Sequence, residues 1–266
     1  MTGLDLATET LEIFISMLLE GLPPEGSFPP DDEGHLTNLS LYYRLRAIAH
    51  FLQTGDTTSY ISDLHRSGQT RLYYLKGSST SERFHRTSRN RAFFDCIAIN
   101  DLNTAELLAE YCDERWVANL EYEDDFLFIQ FLQTRFLALH GRRTPRDCDL
   151  VLNRLSHVVA ATDNPYLNLC HALQERNSNN TQNALHQIIT RRAANYSRAA
   201  ELGDLHSVFL HTERFIDIQA IAIVRIAADL GMQTRTWNFP RVPSELIELA
   251  SSRNSYPGLT SWRRGA

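Results

Sequence analysis

Apolar residues recur every three or four positions along most of the 266-residue chain, and nowhere does apolar–polar alternation persist for more than a few residues. The first pattern places apolar side chains on one face of a helix, whereas a half-buried strand needs the second. Glycine and proline, at 12 and 9 residues, are too few for the many tight turns of a sandwich or barrel, and several fall where helical stretches must stop. The expected fold is therefore all-α: an irregular array or bundle of about ten helices joined by short turns.

The stripe Leu4, Ala7, Leu11, Phe14, Leu18, Leu22 predicts a first helix over 4–20, stopped by Gly21, Pro23 and Pro24. Residues 21–36 hold four prolines, three glycines and Asp31-Asp32-Glu33, and read as a long exposed loop. A helical hairpin follows, with helices over 39–54 and 57–76 around Gly55-Asp56. Leu41-Tyr42-Tyr43 and Leu72-Tyr73-Tyr74 lie 31 residues apart, close to a helical-repeat period, so a repeat-like arrangement is one form the array could take. Gly77 to Ser81 breaks the pattern and marks a possible subdivision.

Beyond it the spacing predicts an arginine-rich helix over 82–99, a short helix from Asn103 and a central helix over 124–140. Thr144-Pro145 then opens another helix as N-cap and first residue. Further helices are expected over 165–176, 181–201 and 205–230, then an extended piece from Thr234 to Arg241 and a last helix from Pro243 to Ser251. Residues 1–252 read as a single helical domain, and 253–266 as a mobile tail with little core-forming content.

A net charge of −6 and a pI near 5.9 give no global attraction to nucleic acid or anionic lipid. The four cysteines are scattered, without CxxC or zinc spacing, as expected for free thiols in a reducing compartment. The N-terminus lacks a basic n-region, and the most apolar run, Ile218–Val224, is far short of the roughly twenty residues of a membrane span. A cytoplasmic protein without a membrane partner is expected.

Motifs for catalysis are missing: HExxH, GxSxG, GxGxxG and the Walker pattern do not occur. His171 and Glu175, one helical turn apart, make two ligands without a third, so no metal, cofactor or enzymatic activity is expected. Arg83, His85, Arg86, Arg89 and Arg91 are the best nucleic-acid candidate, but the acidic balance favours pairing of these arginines with carboxylates on neighbouring helices. The acidic segment is more suggestive. Asp113, Glu114, Glu121, Glu123, Asp124 and Asp125 interleave with Trp116 and Tyr122. Acids at 123–125 favour a helix start without any function. The same acids beside aromatic anchors also suit a partner with a basic surface.

Three stretches in the C-terminal half carry a resemblance: Tyr166 to Arg176, Gln182 to Ile189, and Ile218 to Met232, the last an Ala-rich helix ending in an Ala-x-x-x-Gly turn before Pro240 and Pro243. Over about residues 160–250 the chain resembles the immunity protein 49 family, found beside polymorphic toxins in bacteria. The resemblance implies a protein that binds and neutralises a cognate toxin, an intracellular effector such as a basic nuclease. The acidic-aromatic segment would then form part of the toxin-binding face. The alternative is a helical-repeat adaptor that binds another protein or a peptide.

Overall fold

A computed structural model describes residues 2–22, 33–77, 86–112, 114–159, 163–251 and 263. Among these, every regular element is a helix, and the only β-type pairing is an isolated bridge between Phe239 and Val242. The all-α expectation holds.

Helix α1 (Gly3–Glu20) starts at a reciprocal cap: the Thr2 hydroxyl accepts from the Asp5 amide, and the Asp5 carboxylate accepts from the Thr2 amide. Its buried face, Ala7, Leu11 and Ile15, packs on α2 (Glu33–Thr54) and on the single turn α10 (Ser207–Leu210). The start of α2 at Glu33 corrects the expected 21–36 loop. Leu36, Leu39 and Tyr43 continue its apolar stripe, so helix replaces loop over 33–36, while residues 23–32 lie outside the described residues. Gly55, at φ 70, closes the hairpin onto α3 (Thr57–Gly77). The Leu-Tyr-Tyr echo falls on the two helices of this one hairpin, so it marks no repeat period.

Helix α3 is buried on nearly every side, and a side chain at Gly68 would run into Cys96 of α4 (Arg91–Ala98). The expected 82–99 helix is shorter: a 3-10 turn spans Thr87–Arg89 and α4 begins only at Arg91. Asn90 interrupts it with a non-helical backbone, its side-chain amide donating to the Leu108 carbonyl at the end of α5 (Leu102–Glu110). Arg83 and His85 lie outside the described residues.

Helix α6 (Glu123–Leu139) carries Phe126, Phe131 and Phe136 into the interior, and α7 (Pro145–Val158) packs along it behind a second capping box, Thr144 with Asp147. Helices α8 (Pro165–Glu175) and α9 (Ser178–Glu201) pair through a left-handed turn at Arg176. The single helix expected over 205–230 is two. The chain leaves α10, turns, and restarts as α11 (Ile218–Asp229), where the Asp217 carboxylate accepts from the Ala220 amide and the Asp217 amide donates to the Arg241 carbonyl. The link from Thr234 to Arg241 is turns rather than extended chain, and α12 (Ser244–Ser251) follows it.

One buried apolar cluster draws on residues either side of the 77–81 break and centres on α4, α6 and α11. All four cysteines are buried and free. Among the described residues no helix is long and apolar enough to cross a membrane. The 253–266 tail lies outside the described residues apart from Arg263, whose guanidinium sits over the Tyr73 ring and donates to its hydroxyl.

Candidate functional site

The loop before α6 and the first turn of that helix hold the acidic candidates; Asp113 lies outside the described residues. Three of the others are engaged. Glu114 pairs with Arg143. Glu123 takes two hydrogen bonds from Arg154, at 2.9 and 2.6 Å. Glu121 accepts from the Ser88 amide at 3.1 Å, and its carbonyl accepts from the Trp116 indole at 3.0 Å. Trp116 is therefore half-buried and packed on the core, and it braces the loop instead of projecting as an anchor.

What remains outward is Tyr122, 79% exposed at the N-cap of α6, with Leu120 beside it and the exposed Asp124 and Asp125 on the first turn. Neither aspartate forms an ion pair among the described residues. Burial, then the neighbouring Asp124 charge, pushes the Asp125 carboxyl up, and Arg192 only partly offsets this.

Asp125 also leads to a feature that sequence reading missed. It lies on the rim of a cleft whose floor is a network of ion pairs linking α2, α4, α9 and the 211–217 turn. Glu213 is the hub: its carboxylate accepts from Arg44 Nε at 2.7 Å and from the Tyr196 hydroxyl at 2.8 Å, and Arg91 stands 3.5 Å away. Arg44 also donates to Asp95, which takes a further bond from Ser67 at 2.8 Å. Arg192 reaches Asp217 at 3.2 Å and Gln219 at 2.6 Å, and Arg241 approaches Asp217 at 3.8 Å from the other side.

The electrostatics follow from this sharing. Burial alone would raise the Glu213 carboxyl, but Arg91, Arg44 and the Tyr196 hydroxyl outweigh it and bring the pKa down to about 2. Asp95 is wholly buried with one arginine, and there burial wins and pushes the carboxyl up. Burial penalises the Arg44 cation, yet Asp95 and Glu213 together hold it charged.

Above this floor lie two adjoining cavities of about 520 and 670 Å³, within the size range of small-molecule sites. Ser88, Arg91, Tyr196 and Leu205 line both, so Arg91 stands at the waist between them. The cleft is a binding-type concavity, polar along the floor and apolar along Phe94, Phe128 and Ile129.

The basic stretch does not form one surface. Arg86 is fully buried, whereas Arg89 and Arg91 are exposed at the cleft, and Arg91 approaches the Glu213 carboxylate. His171 and Glu175 line a separate shallow depression, and no cluster of three metal-ligating side chains occurs among the described residues. The cleft residues stand far apart in the chain, as single charges in apolar helices or in the turns between them; the one signal was an arginine at a position the helical stripe assigns to the interior, such as Arg44. Comparison with known proteins finds no matching family model, no matching curated protein and no matching solved structure.

Proposed function

We propose that this protein works by binding another protein, and that its partner is a bacterial toxin which it neutralises by occupying a functional surface. The observation that carries the reading is the Tyr122 lip, an exposed aromatic ring beside Leu120, Asp124 and Asp125 on a braced support. Large aromatic anchors next to charges of one sign are the usual core of a protein–protein hot spot. The bracing matters energetically. Trp116 and Glu121 tie the loop to the core and to Ser88, so little chain entropy remains to be lost on docking. Free carboxylates at the edge favour a basic counter-surface and speed its encounter. The family resemblance over about residues 160–250 supplies the toxin; the lip supplies only the docking chemistry. An adaptor built of helical repeats gains nothing from the fold, because the one sequence echo belongs to a single hairpin.

The test starts with the reading frame adjacent to this one. Its product should arrest growth when expressed alone, and should be harmless when this chain is co-expressed. With both proteins purified, Tyr122→Ala should weaken the complex about thirtyfold, the equivalent of a 2 kcal/mol hot spot. Asp124→Arg with Asp125→Arg should weaken it further and flatten its salt dependence. A harmless neighbour would sink the toxin reading, and an unchanged affinity in both variants would sink the lip.

A further inference from the structure

We propose that the cleft is a binding site for a small organic oxyanion, a molecule with a phosphate or carboxylate head and an apolar body. The inference stands on the cavities and does not need the partner-docking reading, although Asp125 belongs to both surfaces.

The chain as a whole carries a charge of −6, yet six arginines against five carboxylates line the two cavities. Positive charge has been gathered there against the trend of the molecule. Within the floor, Asp95, Glu213 and Asp217 face Arg44, Arg91, Arg192 and Arg241; Asp125 and Asp204 join the lining against Arg71 and Arg89, which leaves one cation in excess over the two cavities together. Arg91 is the natural surplus. Glu213 already accepts good hydrogen bonds from Arg44 and Tyr196, and Arg91 remains 3.5 Å from it with 57% of its side chain exposed. Arg89, two residues earlier and exposed on the second cavity, adds another fork. Both flank the start of α4, an end that no side chain caps and whose dipole favours an anion.

A second observation comes from the opposite wall. The Arg241 side chain is 9% exposed, and its Nε and Nη1 donate no hydrogen bond. Its Nη2 holds the Glu213 carbonyl, and the guanidinium lies over the Tyr196 ring, 5.1 Å from its centre. Gln219 beside it also leaves its amide nitrogen without an acceptor. Buried donors without an acceptor are costly, and a native site tolerates them where something else supplies the acceptor. Arg241 is moreover held at φ 66, a left-handed backbone that disfavours a residue with a side chain. Strain and unmet donors coincide on one residue of the cavity wall. A small rotation of its fork away from Asp217 would turn those donors toward an oxyanion held by Arg91, while Phe94, Phe128 and Ile129 cover the apolar body.

Titration calorimetry on the full chain, at constant ionic strength in chloride, tests this with three probes. Inorganic phosphate represents the bare head, phenyl phosphate a phosphate head with an apolar body, and benzoate a carboxylate with the same body. Saturable one-to-one binding of phenyl phosphate or benzoate is expected, with the better of the two identifying the head group, and phosphate weaker by tenfold or more. Arg89→Gln with Arg91→Gln should weaken it at least tenfold, and Arg146→Gln on the exposed side of α7 should leave it unchanged. Because those exposed arginines could be lost without unfolding, the variants remain interpretable, and melting curves check this. The Arg241 side-chain Nε–H resonance, assigned by its absence in Arg241→Lys, should shift on saturation. Failure of all three probes to bind, or binding indifferent to the Arg89/Arg91 pair, overturns the proposal.

Discussion

Replacing Glu213 by glutamine removes one charge from the hub of the buried network while keeping its shape. The cost follows from the carboxyl's displacement. Its pKa falls from an ordinary 4.5 to about 2, a shift of roughly 2.5 units, and at 1.36 kcal/mol per unit the ionised form contributes about 3 kcal/mol to folding at neutral pH. That agrees with the 3–5 kcal/mol generally lost when one partner of a buried ion pair is removed. The folded-state pKa is the lower one. The contribution is therefore complete above about pH 4.5 and disappears as pH falls toward 2. Asp95 works in the opposite sense, since burial raises its carboxyl and its ionisation opposes folding as pH rises. It is present in both proteins, so most of its effect cancels in their difference. The remainder softens the loss, because removing the Glu213 charge eases the ionisation of Asp95.

Urea denaturation followed by far-ultraviolet circular dichroism, at several pH values between 7 and 2.5, gives the comparison directly. Glu213→Gln should be about 3 kcal/mol less stable at pH 7, and the gap should close by more than half by pH 2.5. A gap that keeps its size across that range would mean that the loss is one of packing or hydrogen bonding. The charge argument for the whole cleft floor would then fail.

Three further outcomes are expected. A methyl group at Gly68 would overlap Cys96 Sγ, which is fully buried, so Gly68→Ala should cost about 1–3 kcal/mol in the same denaturation assay, and adding Cys96→Ala should recover part of that loss. Thr144→Ala removes the hydroxyl that accepts from the Asp147 amide at the start of α7, and should lower stability by about 1 kcal/mol. Tyr122→Ala should change stability by less than about 0.5 kcal/mol, because the ring is 79% exposed and caps nothing; a larger loss by thermal or chemical denaturation would show a structural role and disqualify it as a docking anchor.

Most helices were legible because their boundaries are written locally. Thr144-Pro145 announces a helix start, and the expected boundaries of α6, α8 and α12 fall within two residues of those observed. The misreadings occur where a tertiary partner decides. Residues 205–230 look continuous because every turn carries apolar residues, yet the chain breaks at 211–217 to bring Glu213 and Asp217 to Arg44 and Arg192. Asn90 likewise ends a run of helix formers because its amide finds the Leu108 carbonyl.

The same distinction governs the candidate sites. The acidic segment was visible as composition, but composition could not separate acids that are already paired, Glu114 and Glu123, from Asp124 and Asp125, which are free to meet a partner. Nor could it reveal that Trp116 points inward to hold the loop. The cleft was invisible altogether, since Arg44 and Glu213 stand 169 residues apart and neither forms a motif. Their shared property is burial of charge, which the chain sustains only because each carboxylate finds its arginine from another helix. Removing water from Arg44, Arg192 and Arg241 is expensive, and an all-hydrophobic floor would cost less. A bound anion would offset part of that cost, and calorimetry on the cleft tests whether one binds.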